Sequence, residues 1–159
     1  MYNGQDLDIN SQANNLIELA AKSMQRDGFL VPAGVIYRPD GEAMVCGLPF
    51  VTTQDKQKCF RSFRVSAKEQ GAIAIAFISE AWVSWRDKAA DLNPAKSSFD
   101  DSDREEVIVA TVVTPVTSVV LMAPVIRLNE EVNGIGEVRS EGSILDAEFS
   151  RGVWENTLH

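Results

Sequence analysis

The sequence predicts an α+β domain with a mostly antiparallel central sheet flanked by two helices. Three observations carry that expectation. Two segments place apolar residues at helical spacing. Several short runs are rich in valine, isoleucine and aromatic residues, as strands are. The strands also come in runs rather than alternating one for one with helices, which argues against a parallel α/β fold. The order read along the chain is helix, strand, strand, helix, strand, strand, strand, then weaker strands, or αββαβββ(β).

The first helix is expected over 11–27, where Ala13, Leu16, Ile17, Ala20 and Met24 form one stripe. Ser11 is the expected cap, Lys22 and Arg26 suit the C-terminal end of the dipole, and Gly28 suits a left-handed exit. FLVPAGVIY then reads as a strand which Pro32 and Gly34 push towards an edge or a bulge. Arg38 to Glu42, RPDGE, is a turn, and AMVCGLPF returns as its hairpin partner. Thr52 opens a second helix with capping-box spacing to Asp55, and Gly71 ends it. Cys59, Phe60, Phe63 and Ala67 share one face of that helix.

The segment AIAIAFISEAWVSW, Ala72 to Trp85, is the central strand. Side chains alternate across a strand, so Ile73, Ile75 and Phe77 face one way, and Ala72, Ala74, Ala76 and Ile78 the other. A row of alanines lets a helix lie close, while the bulky row fills the opposite layer. That is the pattern of a strand covered on both faces. A long acidic loop follows over 86–103. EEVIVATVV and VVLMAPVIRL are the next strands, with Pro124 placing the second at an edge or a bulge. Asn133 to Gly136, NGIG, reads as a turn before weaker strands around Glu137–Arg139 and Ile144–Phe149. Residues 150–159 form a tail anchored by Trp154.

The chain has 159 residues, a length that fits a single domain over 1–159 and buries about 70% of its unfolded surface. With 45% apolar and 24% charged residues it has the composition of an ordinary globular protein. No apolar run approaches the roughly 20 residues needed to cross a bilayer. MYNGQDLDIN has neither a basic residue nor an apolar core, so no secretory signal is expected and a cytoplasmic location is the default. The net charge of −8 repels nucleic-acid backbones and anionic lipid and favours a protein partner with a basic surface. Cys46 and Cys59 are too few and too far apart for a zinc ribbon or a C-x-x-C pair.

Several chemistries are missing. The one histidine is His159, so Ser-His-Asp, Cys-His and histidine-rich zinc sites have no base or ligands. No phosphate loop, dinucleotide turn or nucleophile elbow is present. No cofactor is expected. Carboxylates are what remain: Asp100, Asp101, Asp103, Glu105 and Glu106, with Glu80 at the end of the central strand. They support three readings. In the leading one the loop and its aromatic flank, Trp82, Trp85, Arg86, Asp100, Asp101 and Asp103, contact a protein partner, because tryptophan and arginine dominate interface hot spots. Glu80 is then a structural charge neutralised by Arg104. In the second, Glu80, Asp101 and Asp103 hold a divalent metal for hydrolysis of a substrate or nucleic acid. In the third, the acidic surface mimics nucleic acid. Strand edges near Pro32 and Pro124 would also permit a homo-oligomer.

Glu80-Ala81-Trp82 after an apolar strand, Pro94 and Ser97-Ser98 in the loop, and Asp103-Arg104-Glu105-Glu106 opening a valine-rich strand form a pattern over roughly 54–113. It resembles a loose group of short phage and bacterial proteins of unknown function. The resemblance implies an accessory protein of a mobile element, acting as inhibitor, adaptor or self-assembling subunit, and implies no activity. The element order is also similar to that of profilin-like, longin and roadblock domains, by analogy alone.

Overall fold

Asp8, and not Ser11, starts the first helix. Its carboxylate accepts the Ser11 N–H at 3.1 Å, so α1 runs over Ile9–Asp27 and Ser11 sits inside its first turn. Gly28 ends it in the left-handed region at φ 83°, its N–H donating to the Met24 carbonyl at 2.7 Å. The computed structural model describes residues 7–49, 52–84, 104–140 and 153–154. After α1 come β1 (Ala33–Tyr37), β2 (Ala43–Gly47), α2 (Thr53–Glu69), β3 (Ala74–Ser84), β4 (Arg104–Val113), β5 (Ser118–Leu128), β6 (Glu131–Ile135) and β7 (Arg139–Ser140). This is the expected α+β architecture: two helices flank a seven-stranded sheet in which every described pairing is antiparallel.

The strand order is β2-β1-β3-β4-β5-β6, with β7 alongside β5. Neither proline marks a sheet edge among the described strands, although the bulge that was the alternative for Pro124 is present close to it in β5. Pro32 lies just before β1, and β1 is an inner strand, because among the described residues its hairpin partner β2 takes the edge. The Pro32 carbonyl accepts the Leu48 N–H at 2.8 Å. Pro124 also sits in an inner strand, opposite Val107 of β4. Its carbonyl still accepts the Gly136 N–H at 2.8 Å, and the register shifts two residues later, between Ile126 and Arg127. Asn133 to Ile135 of the NGIG segment, expected as a turn, belong to β6, and Gly136 directly follows the strand. The reversal falls at Asn129 and Glu130, both left-handed (φ 53° and 71°), as a two-residue hairpin requires.

The alternation read on the central strand places the two cores. Ala74, Ala76 and Ile78 face α1, together with Ile108, Ala110 and Val112 of β4 and Leu121 and Ala123 of β5. Ile17 and Met24 of α1 fill the spaces between them and are fully buried. Ile75 and Phe77 face α2, whose Phe60, Phe63 and Ala67 pack there with Ile36. Phe60 meets Phe77 edge to face, with centroids 5.1 Å apart. Ala72 and Ile73 precede the strand and swap sides, Ala72 joining the α2 core and Ile73 the α1 core. Val153 and Trp154 close the α2 core, and the Trp154 indole N–H donates to the Ala72 carbonyl at 2.8 Å. The expected strand at Ile144–Phe149 and most of the 150–159 tail lie outside the described residues.

Gly34 sets the depth of α2. A Cβ at that position would run into the Phe63 ring, so the missing side chain is what lets the phenylalanine lie on the β1 backbone. Gly34→Ala should therefore destabilise the fold by about 1–3 kcal/mol through overpacking. Urea unfolding should show a lower midpoint at unchanged slope, and Gly34→Ala combined with Phe63→Leu should recover part of the loss.

Candidate functional site

Strands β3 and β4 continue past the end of α1, and there the core gives way to charge. Glu80 pairs with Ile108, Trp82 with Glu106 and Ser84 with Arg104. Ile108 belongs to the α1 core, so alternation puts Glu80, Trp82 and Glu106 on that same face, beyond the last turn of the helix. Glu106 is largely shielded here, its side chain 10% exposed. Arg127 of β5 grips it with two bonds, Nε to Oε1 at 2.6 Å and Nη2 to Oε2 at 3.0 Å. The same guanidinium donates from Nη1 to the Glu130 carbonyl at 2.9 Å and from Nη2 to the Gly28 carbonyl at 3.3 Å. One arginine thus joins β4, the β5–β6 turn and the C-terminal end of α1. Bidentate geometry and a helix C-terminus both favour a planar cation there.

Glu80 is exposed and lies beside this pair. Partial burial pushes its carboxyl above the ordinary glutamate range, and the charge of Glu106 adds to the rise. Arg127 and a hydrogen bond from the Leu30 backbone oppose it. Arg104, the partner expected for Glu80, stands opposite Ser84, four residues further along β3. Its side chain lies outside the description, and the guanidinium charge acting on Glu80 among the described residues is that of Arg127.

Trp82 is half-exposed, at 49%. Phe29 and Val31 flank the residue that hydrogen-bonds Glu80, Leu128 follows Arg127, and all three are exposed apolar side chains. Charge and exposed apolar surface therefore meet at one end of the sheet. Of the other residues expected to bind a partner, Trp85, Arg86, Asp100, Asp101 and Asp103 lie outside the described residues. So do two of the three carboxylates of the metal reading, Asp101 and Asp103. Among the described residues no group of three or more His, Cys, Asp or Glu side chains could hold a metal ion. No described helix is long and apolar enough to cross a membrane.

A second feature lies at the β2 edge of the sheet. An open groove of about 350 Å³ runs between β2 and α2, lined by Cys46, Gly47, Leu48, Lys58, Cys59, Ser62, Phe63 and Ser66. Both cysteines are free. Burial pushes the Cys46 thiol up, which keeps it protonated and a weak nucleophile, and Cys59 Sγ donates to the Pro49 carbonyl at 3.6 Å.

The site escaped sequence reasoning at one point, the pairing of Glu106 with Arg127. The partners are 21 residues apart on strands whose register only the structure supplies. The available signal was an arginine closing an otherwise apolar strand, which is placed to cap a core.

The fold is that of an α+β protein, two helices flanking an antiparallel sheet with a charged, aromatic end. A family model described as bacteriophage lambda protein ea47 matches residues 1–157, and the chain belongs to that family. Comparison with curated proteins and with solved structures finds no match. The phage attribution rests on this family match over nearly the whole chain, and not on the shorter pattern around Glu80 and Arg104.

Two outcomes follow from the electrostatics. Arg127→Met leaves the Glu106 carboxylate without its guanidinium and should cost about 2 kcal/mol in urea unfolding, whereas the double variant with Glu106→Leu should recover most of it. Glu80 has a folded-state value above its unfolded one, near 4.5, so the folded state holds the proton more tightly and stability falls as pH rises through the folded value. Glu80→Gln should melt at the same temperature as wild type in acid below that unfolded value, and above it at neutral pH.

Proposed function

We propose that the protein is a non-catalytic accessory protein of a phage that works by binding a protein partner with a basic surface. The contact face in this reading is the end of β3, where Trp82 leads to Trp85, Arg86 and the carboxylates Asp100, Asp101 and Asp103. The observation that carries it is the half-exposed Trp82 beside Glu80 and the Glu106–Arg127 pair, with exposed Phe29, Val31 and Leu128 about it. Large aromatic side chains at the centre of a contact, ringed by charge, are the composition of interface hot spots. The net charge of −8 steers a cationic partner towards such a face and disfavours nucleic acid and anionic membranes as direct ligands.

The partner acts as inhibitor target or assembly neighbour, so the functional readout is affinity and not turnover. Trp82→Ala should weaken capture of the partner by about 30-fold, the loss of one hot-spot residue. Serine at Asp100, Asp101 and Asp103 together should slow association and flatten its salt dependence. Melting temperatures should stay within a few degrees of wild type in both cases. Surface plasmon resonance against the captured partner reads these changes, and unchanged binding by both variants would move the contact elsewhere.

A further inference from the structure

We infer that β2 is a self-complementary edge through which two copies of this chain pair, extending the sheet across a two-fold axis at Val45. This contact lies at the β2 edge, with β1 between it and the β3 strand that carries Trp82, and stands independently of the partner proposed there.

The backbone decides the register. The Arg38 N–H donates to the Glu42 carbonyl at 2.9 Å, and the Leu48 N–H donates to the Pro32 carbonyl at 2.8 Å. Residues 42 and 48 thus turn their backbone groups inward to β1. Hydrogen bonding alternates along an antiparallel strand, so Met44 and Cys46 also bond inward while Ala43, Val45 and Gly47 present N–H and C=O outward. Among the described residues no strand pairs with that side. An antiparallel second copy centred on Val45 sets Val45 against Val45 and Ala43 against Gly47. Each of those pairs exchanges two hydrogen bonds, and the outward row is used completely.

The side chains agree with that register. Strand AMVCG carries no charge, proline or bulge, the devices that normally blunt an edge. Val45 is 69% exposed on the face away from α2, and in the pair it meets its own copy. On the α2 face, Met44 falls opposite Cys46 and Glu42 opposite Leu48. Leu48 and Cys46 line the groove between β2 and α2, and so does Lys58. The second copy therefore brings a carboxylate to the lysine, twice by symmetry. Steric room is sufficient: α2 rests over β1, where Phe63 covers Gly34, so the two helices stand three strand spacings, about 14 Å, apart. That exceeds the 8–10 Å of packed helices and leaves space for these side chains.

Sedimentation velocity on the full chain between 1 and 100 µM tests the inference. Wild type should approach 35 kDa, twice the 17.5 kDa of one chain. Val45→Lys should stay at the monomer mass with an unchanged circular dichroism spectrum. Glu42→Lys and Lys58→Glu should each weaken association about tenfold, and their combination should restore it. A monomeric wild type at 100 µM overturns the inference, whether the edge is idle or serves an extended peptide from another protein. A Val45→Lys dimer, or charge reversals without mutual rescue, overturns it as well.

Discussion

Small side chains hold α1 against the sheet. Ala13, Ala20 and Ala21 on the helix lie in one core with Ala74 and Ala76 of β3, Ala110 of β4 and Ala123 of β5, all 9% exposed or less. Where both surfaces of a contact are trimmed to methyl groups, the helix axis comes close, and Ile17, Met24, Ile78 and Ile108 interlock in what remains. Close approach also fixes the height at which the helix ends. The Gly28 carbonyl comes within reach of Arg127, and Leu30 comes within reach of Glu80. Larger residues in the alanine rows would lift α1 and separate the arginine from one of its anchors. The charged end of the sheet is thus a consequence of packing several turns away.

The two faces solve the same problem by opposite means. Towards α1 the sheet is small and the helix lies flat. Towards α2 it is bulky, with Ile36, Ile75 and Phe77 meeting Phe60 and Phe63, and a single glycine in β1 provides the recess. Both designs are written in the alternation of one strand, which explains why so much of the architecture was legible. Caps at Thr52 and Gly28, the helical stripes and the alanine row are local signals that need no register.

What the sequence did not disclose is non-local or locally disfavoured. Glu130 adopts a positive φ, which β-carbon sterics normally discourage, so the glycine-containing NGIG drew the turn four residues too far along. Pro32 and Pro124 lack an N–H, yet each lies where its carbonyl still serves a neighbour. A proline's missing donor therefore did not mark the sheet edge. The edge fell to β2, whose composition carries no such mark. The Glu106–Arg127 pair depended on the register of β4 against β5, which composition cannot encode. A carboxylate at Glu80 was visible, but its neighbours were not.

The indole of Trp154 bonds to a carbonyl 82 residues earlier in the chain. During synthesis that contact cannot form until position 154 has left the ribosome. The layer under α1 draws on residues up to Val132 and Val138, so it can consolidate on a nascent chain while the Phe60–Phe63 side still lacks its lid. Order of emergence is thereby imposed on the two layers. The later one would expose aromatic surface to chaperones or to sister chains for the time that separates them.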